Sequence, residues 1–335
     1  PSSVVSASNV TVTTSDSLHK RIDTTSSLAT DAITAGTLAG TLAFRTGTDT
    51  PGFLDTATIA FTTAGHVERG GKLVLAMPDL NEGSTLQTGW RFESPVVSFS
   101  TPSSGAPTAT AAFDVVTRTL TITTAAATMA QSTQHVFTLT NVRTPSSVVS
   151  ASNVVVTTKD SQDKDIDTTS SLLTDAIVVG ALSGALTFDT GTDTPGFLDT
   201  ATVTFTTAGQ VEAGGFIELV MPDLGVGSSL QSGWRYESPV VSFTTPGAGA
   251  PTATASFSSA SRTLTITTAG ATMAQSTQHV FTLTNVRTPS SVVSASNVVV
   301  TTKDSQDKDI DRTPSLSTDA IVVGALSGAL TFDTG

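Results

Sequence analysis

The sequence predicts an all-β protein: antiparallel β-sandwiches in tandem, on a 144-residue repeat. Three observations carry that reading. The first ten residues, Pro1-Ser-Ser-Val-Val-Ser-Ala-Ser-Asn9-Val10, return at 145–154 and again at 289–298. Apolar and hydroxyl residues alternate with period two over short runs, the signature of half-buried strands. Turn signals separate those runs. Aligning 1–144 on 145–288 needs no gap and leaves 109 of 144 positions identical, and 289–335 matches 145–191 at 44 of 47. A period this long exceeds the ~20–50 residues of a solenoid unit and fits one domain per repeat. The expected organisation is 1–34 as the end of one repeat, 35–178 and 179–322 as complete repeats, and 323–335 as the first strand of another. The pattern breaks off at both ends, which reads as a window on a longer array.

In chain order, the strands expected in the first period are Val10–Thr14, Leu42–Phe44, Ala57–Phe61, Leu73–Met77, Val96–Phe99, Ala109–Phe113, Leu120–Thr123 and Val136–Thr140. The differences between copies say which face of each strand is core. Val10 and Val12 return as Val154 and Val156, while Thr11 becomes Val155. Ala57, Ile59 and Phe61 return as Ala201, Val203 and Phe205. Leu73, Leu75 and Met77 return as Ile217, Leu219 and Met221, while Lys72, Val74 and Ala76 become Phe216, Glu218 and Val220. One parity keeps its apolar type and the other drifts, as a sheet with one buried face requires. Thr-Pro-Gly at 50–52, Gly70-Gly71, Met77-Pro78-Asp79, Thr101-Pro102 and Asp160-Ser-Gln-Asp163 supply the turns. No segment shows a capped 3.6-residue stripe. Seven or eight short strands per unit fit a sandwich. The stretch Asp175–Phe188 lacks the Gly/Ser or Pro density of a flexible linker. It reads as extended, either stiffening the joint or completing a neighbour by strand addition.

Composition narrows function further. Of 335 residues 13% are charged, against a usual quarter, and Thr and Ser make up roughly a third. The net charge of −12 leaves no basic footprint for nucleic acid. No apolar run reaches the ~18–20 residues of a membrane helix, so no membrane insertion is expected from this segment. The absence of Cys removes disulfides, thiolate metal sites and Cys nucleophiles together.

Four runs carry a family resemblance: Asp55–Gly65, Gly70–Asp79, Arg118–Thr124 and Gln134–Val142. With them the chain resembles the tandem immunoglobulin-like modules of Thr/Ser-rich extracellular fibre and adhesin proteins of microbes, including protists. The resemblance implies immunoglobulin-like sandwiches and a secreted, glycosylated, load-bearing or surface-coating role. The antibody-type Cys pair is missing, so Trp90 and Trp234 have no disulfide to pack on.

Residues able to do chemistry are few. His19 and His66 become Asp163 and Gln210, whereas His135 recurs as His279, two residues before Phe137 and Phe281. That spacing places it structurally, at the rim of the core. No Gly-x-Ser-x-Gly elbow and no phosphate loop is present, and neither a catalytic residue nor a cofactor is expected. Asp160, Asp163, Asp165 and Asp167 stand at spacings that can ligate calcium. However, Gly is missing where an EF-hand turns, and Asp163 and Asp165 are His19 and Arg21 in the first copy. An Asp-rich hairpin turn is the expectation, with a metal site as the lesser alternative. Lys20, which recurs as Lys164, lies in that same turn, which argues against a buried Lys–Asn crosslink.

Modification is better supported than catalysis. Asn9-Val10-Thr11 is an N-glycosylation acceptor. The outward-facing Thr58, Thr62, Thr121, Thr123, Thr138 and Thr140 are O-glycan candidates, although Thr also simply suits strand surfaces. Three functions compete. The first is a structural subunit of an extracellular or cell-surface filament, partnered by copies of itself and by glycans. The second is the stalk of an adhesin. The third is a Thr-rich surface that binds ice or carbohydrate directly.

Overall fold

In a computed structural model of the chain, covering residues 3–80, 89–224 and 233–326, every regular element among the described residues is a strand. β1 (Asn9–Ser15) and β2 (Arg21–Ala29) form a hairpin. The next eleven strands share one sheet. They are β3 (Gly36–Thr37), β4 (Ala39–Thr46), β5 (Leu54–Thr62), β6 (Lys72–Ala76), β7 (Arg91–Phe92), β8 (Val97–Thr101), β9 (Thr108–Asp114), β10 (Thr119–Ala125), β11 (Gln134–Arg143), β12 (Asn153–Lys159) and β13 (Asp165–Thr174). The last eleven share another: β14 (Gly180–Ala181), β15 (Ser183–Thr190), β16 (Leu198–Thr206), β17 (Phe216–Val220), β18 (Arg235–Tyr236), β19 (Val241–Thr245), β20 (Thr252–Ser258), β21 (Thr263–Ala269), β22 (Gln278–Arg287), β23 (Asn297–Lys303) and β24 (Asp309–Thr318). The strand expected at 323–335 lies mostly outside the described residues.

The first large sheet runs β7-β11-β5-β4-β13-β12-β6-β10-β9, and the second repeats that order strand for strand. Each is a β-sandwich, rolled so that its two halves bury a common core. Pairing is antiparallel except where β13 meets β3 and β4, which lie parallel to it at Asp167↔Gly36 and Leu173↔Ala43. The first strand of the unit therefore lies between an antiparallel partner, β5, and a parallel one, β13. Gly40 takes a φ of 74° between two register blocks of the β4–β5 ladder. Two compact units result. One gathers residues up to Thr48 with Leu54–Arg143 and Ser150–Ala176, and the other takes Asp49–Phe53, Thr144–Val149 and residues from Ile177.

Alternation sets the core. Ala57, Ile59 and Phe61 on β5, Leu73 and Leu75 on β6, Leu120 and Ile122 on β10, and Phe137 and Leu139 on β11 are all buried. Trp90 packs edge-on against Phe44, with ring centroids 5.2 Å apart, and Trp234 repeats this against Phe188 at 5.3 Å. With no disulfide to cover, the indole fills the sandwich against an aromatic partner instead.

Two expectations change. The unit holds eleven strands, not seven or eight, because β3, β7 and β13 escaped the period-two reading. β13 escaped because its ladder with β12 carries two irregularities, between Val154 and Val156 and between Thr158 and Lys159. These shift the buried parity, so Ile166, Asp167, Thr169, Leu172 and Thr174 are all inside. The second change concerns Val10 and Val12, expected in a core. They are exposed on the β1–β2 hairpin, whereas Val154 and Val156 are fully buried.

Candidate functional site

The Asp-rich turn is the densest cluster of ionisable groups the sequence singles out, and the structure resolves it into separate tasks. The turn joins β12 to β13. Asp160 Oδ1 accepts the N–H groups of Gln162 and Lys164 at 2.9 and 2.8 Å. The Lys164 N–H is the main reason its carboxyl sits below the usual range, with the Ser3 hydroxyl adding to it. Asp163 holds the left-handed position of the turn at φ 65°, as His19 and Asp307 do at 61° and 65°. Asp and His are among the few side chains that tolerate this region. The His19/Asp163 exchange between copies therefore keeps a backbone conformation. Asp163 also pairs with Lys72 at 2.6 Å, and Asp165 pairs with Lys159.

Asp167 faces the opposite way, into the protein. It is fully buried and accepts the N–H of Ala64 at 3.2 Å, the N–H of Gly65 at 2.9 Å and the Thr158 hydroxyl at 3.3 Å. Its own N–H donates to Thr158 Oγ1 at 3.0 Å. Asp167 and its neighbour Ile166 leave room only for glycine at two positions: a Cβ on Gly36 would collide with Asp167 Oδ1, and one on Gly65 with Ile166. The second unit repeats the arrangement with Asp311, Ala208, Gly209 and Thr302. Burial there raises the Asp311 carboxyl pKa against the lowering pull of those donors. The four carboxylates thus have four different sets of partners, and no group of three His, Cys, Asp or Glu side chains poised for a metal occurs among the described residues. The role of Asp167 was not read from the sequence. The available signal was that Asp23, Asp167 and Asp311 never vary, while their neighbours at 19/163 and 21/165 do.

His135 and His279 lie deeper than the rim predicted for them. Each is buried, because it shares the inward parity of Phe137 or Phe281. The His135 ring lies 5.9 Å from Phe61 and stands edge-on to Phe99 at 6.4 Å. No ring nitrogen of either histidine makes a hydrogen bond of good geometry. Burial pushes both imidazole pKa values below the ordinary value, against a weaker upward pull from the Ala130 and Ala274 backbone.

The glycan candidates are spread over the outward faces. Asn9 is exposed at the start of β1. Of the six threonines, Thr58 is exposed, and Thr62, Thr121, Thr123, Thr138 and Thr140 are half-buried among neighbouring strands. Thr58, Thr138 and Ser98 stand side by side across β5, β11 and β8, with Arg45 next to Thr58 on β4. The second unit repeats that row as Thr202, Thr282 and Ser242, with Asp189 in place of Arg45. Thr121 lies between Val74 and Ala112. Thr140 Oγ1 accepts the Val96 N–H at 3.3 Å.

No family model matches the chain, and no curated protein does. Solved structures give distant likenesses. The type II cohesin dyad from the adaptor ScaA scaffoldin of Acetivibrio cellulolyticus is 11% identical, over 82% of this chain and 95% of that one, with a TM-score of 0.21. The C-terminal domain of the Streptococcus pyogenes antigen I/II-family protein AspA is 7% identical, over 94% and 100%, with a TM-score of 0.26. The collagen adhesin of S. aureus is 10% identical, over 84% and 90%, with a TM-score of 0.19. At this level the function rests on the chain's own residues.

Proposed function

We propose that this chain is a structural subunit of an extracellular filament or cell-surface fibre, with 35–178 and 179–322 as its repeating domains. One observation carries the reading: between copies the interior of the sandwich and its outward threonines are kept, while the outward charges drift. The core parity, the turn carboxylate Asp160/Asp304 and the buried Asp167/Asp311 are kept. The outward charges are not: Arg45 becomes Asp189, Lys72 becomes Phe216 and Val74 becomes Glu218. A charged substrate or ligand site repeated along an array needs constant outward charges, whereas a load-bearing module needs only a constant interior. The same drift weighs against ice or carbohydrate binding, because the Thr58–Thr138–Ser98 row is three residues wide and its flanking charge reverses in the next unit. O-glycans on the outward threonines would supply solubility to a surface so poor in charge, and strand exchange between copies would supply a joint.

Electron microscopy of the native material tests this. A continuous filament with an axial repeat of roughly 40–50 Å, about one sandwich length, supports it. Short rods ending in a distinct globular tip would make these units an adhesin stalk instead.

A further inference from the structure

We propose that Gly180, Gly209 and Gln210, set by the buried Asp311, form a docking corner for a Thr-Pro-Gly turn, and that the turn at 50–52 is its partner and fastens one sequence repeat to the next. In the sequence Asp49–Phe53 stands between β4 and β5, yet it belongs to the second compact unit, together with Thr144–Val149. The receiving corner is made by Gly180, at the start of β14, and by Ala208-Gly209-Gln210, which follow β16. Three close approaches define the contact. A Cβ on Gly209 would collide with Pro51 O, one on Gly52 would lie 2.9 Å from Gln210 O, and one on Gly180 would lie 2.6 Å from Thr50 Cγ2. The two segments thus lie against each other at a separation that glycine permits and a larger residue does not. Asp311 holds the receiving side, since its carboxylate accepts the N–H groups of Ala208 and Gly209 at 3.1 and 2.9 Å. Its burial fixes the corner on which the turn rests.

The turn itself is preformed. Thr144 is buried; its Oγ1 donates to Thr50 O at 2.6 Å and accepts the Phe53 N–H at 2.8 Å, while the Gly52 N–H donates to Pro145 O at 2.7 Å. Thr288 does the same for 194–197 at 2.6 and 2.9 Å, with the Gly196 N–H on Pro289 O at 2.7 Å. Gly52 and Gly196 take matching φ values of 66° and 69°. Each copy of the turn is therefore set by its own threonine, which spares the ordering cost of docking a flexible loop. Asp49 O also accepts the Val178 N–H at 2.9 Å, so the turn holds the extended stretch that leads into β14. The copies keep every part of this contact: Thr-Pro-Gly, Thr144/Thr288, Ala-Gly at 64–65 and 208–209, and Asp167/Asp311. The one corner residue they exchange, His66 for Gln210, meets the turn through its backbone and Cβ.

This deepens the filament reading and rests on it only for its biological setting. Microscopy tests the filament, whereas thiol trapping of the whole chain tests the joint, so either idea can fail without the other. The chain has no Cys, so Gly52→Cys/Gln210→Cys introduces its only two thiols. An ideal Cβ on Gly52 stands 3.4 Å from Gln210 Cβ, close to the ~3.5–4.5 Å that a disulfide spans. Glutathione disulfide should close an intramolecular bond in nearly all of the folded monomer, read by peptide mapping without reductant. Gly52→Cys/His66→Cys should not close, because those positions flank the nine-residue β5 and stand roughly 30 Å apart. Thr144→Val, added to the trapping pair, should slow closure several-fold, and Thr288→Val should leave it unchanged. Failure to close in a chain that keeps its melting temperature overturns the proposal, as does equal closure with and without the Thr144 hydroxyl. Where the Cys pair impairs folding, two glycine variants decide. Gly65→Ala and Gly209→Ala each press on the isoleucine before the buried Asp, Ile166 or Ile310, but Gly209 also meets Pro51 and Thr50. Gly209→Ala should therefore lower the melting temperature of its unit further than Gly65→Ala does, and equal losses overturn the proposal.

Discussion

The hairpin repeats provide an internal control for the energetics of a buried carboxylate. Asp167→Ala removes the acceptor for two backbone N–H groups and one hydroxyl at a fully buried position. Hydrogen bonds to a charged group are worth about 1.5–3 kcal/mol each, and a donor left unmatched costs about 1–3. The charge lost with them also carried a desolvation penalty, which the substitution relieves. The net expectation is a loss of about 3 kcal/mol. For a unit of this size 1 kcal/mol moves the melting point by roughly 3 °C, so the first unit should melt about 9 °C lower. Asp23→Ala changes the same residue in the same local sequence, but at an exposed position, and should move melting by less than about 2 °C. Scanning calorimetry of the whole chain reads both, with the second unit, intact around Asp311, as a reference transition. Equal shifts for the two variants would refute the assignment, since the effect would then belong to the hairpin turn and not to the cap on Ala64 and Gly65.

Other outcomes follow from the same structure. Because burial holds His135 and His279 below the ordinary histidine pKa, the unfolded chain protonates first as pH falls. Their contribution is intact above about pH 6.5 and is lost as pH drops below it, by at most about 1.4 kcal/mol per pH unit for each unit. Urea melts at pH 7.0 and 5.5 should show this, and the His135→Leu/His279→Leu chain should lose most of the slope; an unchanged slope would place the titration elsewhere. Calcium at millimolar concentration, or a chelator, should shift melting by less than about 1 °C, since Asp160, Asp163, Asp165 and Asp167 are already engaged apart from one another. A larger rise would restore the metal reading. If the native chain carries an N-glycan, N-glycosidase should lower its mass and Asn9→Gln should abolish that step. Where O-glycans are present, mass spectrometry should find Thr58 occupied more fully than the half-buried Thr121.

The strands that period two exposes were legible because one buried face imposes one parity. β5, β6 and β10 obey it without interruption and β11 obeys it as far as Leu139, and comparing Lys72-Leu73-Val74-Leu75 with Phe216-Ile217-Glu218-Leu219 shows the core face directly. β13 was not legible because its irregularities change parity mid-strand and put Asp167 and Thr169 inside. The acidic run invited a metal reading for the same reason. Spacing along the chain counts carboxylates, but only the fold shows that Asp160 turns back on its own loop, Asp163 and Asp165 meet lysines, and Asp167 goes inward. Val10 and Val12 share their sequence with Val154 and Val156, and what differs is the sheet around them.

Near-identical neighbours face the problem that any hairpin fits any body. The ion pairs beside the hairpin turn bear on that choice. β12–β13 and β23–β24 share Lys159/Lys303, Asp163/Asp307 and Asp165/Asp309. In the first unit Lys72 takes Asp163, leaving Lys159 to Asp165, while in the second Lys303 takes Glu218 together with Asp307. Each of these hairpins therefore carries enough charge of both signs to satisfy either body, and electrostatics hardly separates them. Exposed pairs of this kind are each worth under about 1 kcal/mol, too little to decide between bodies.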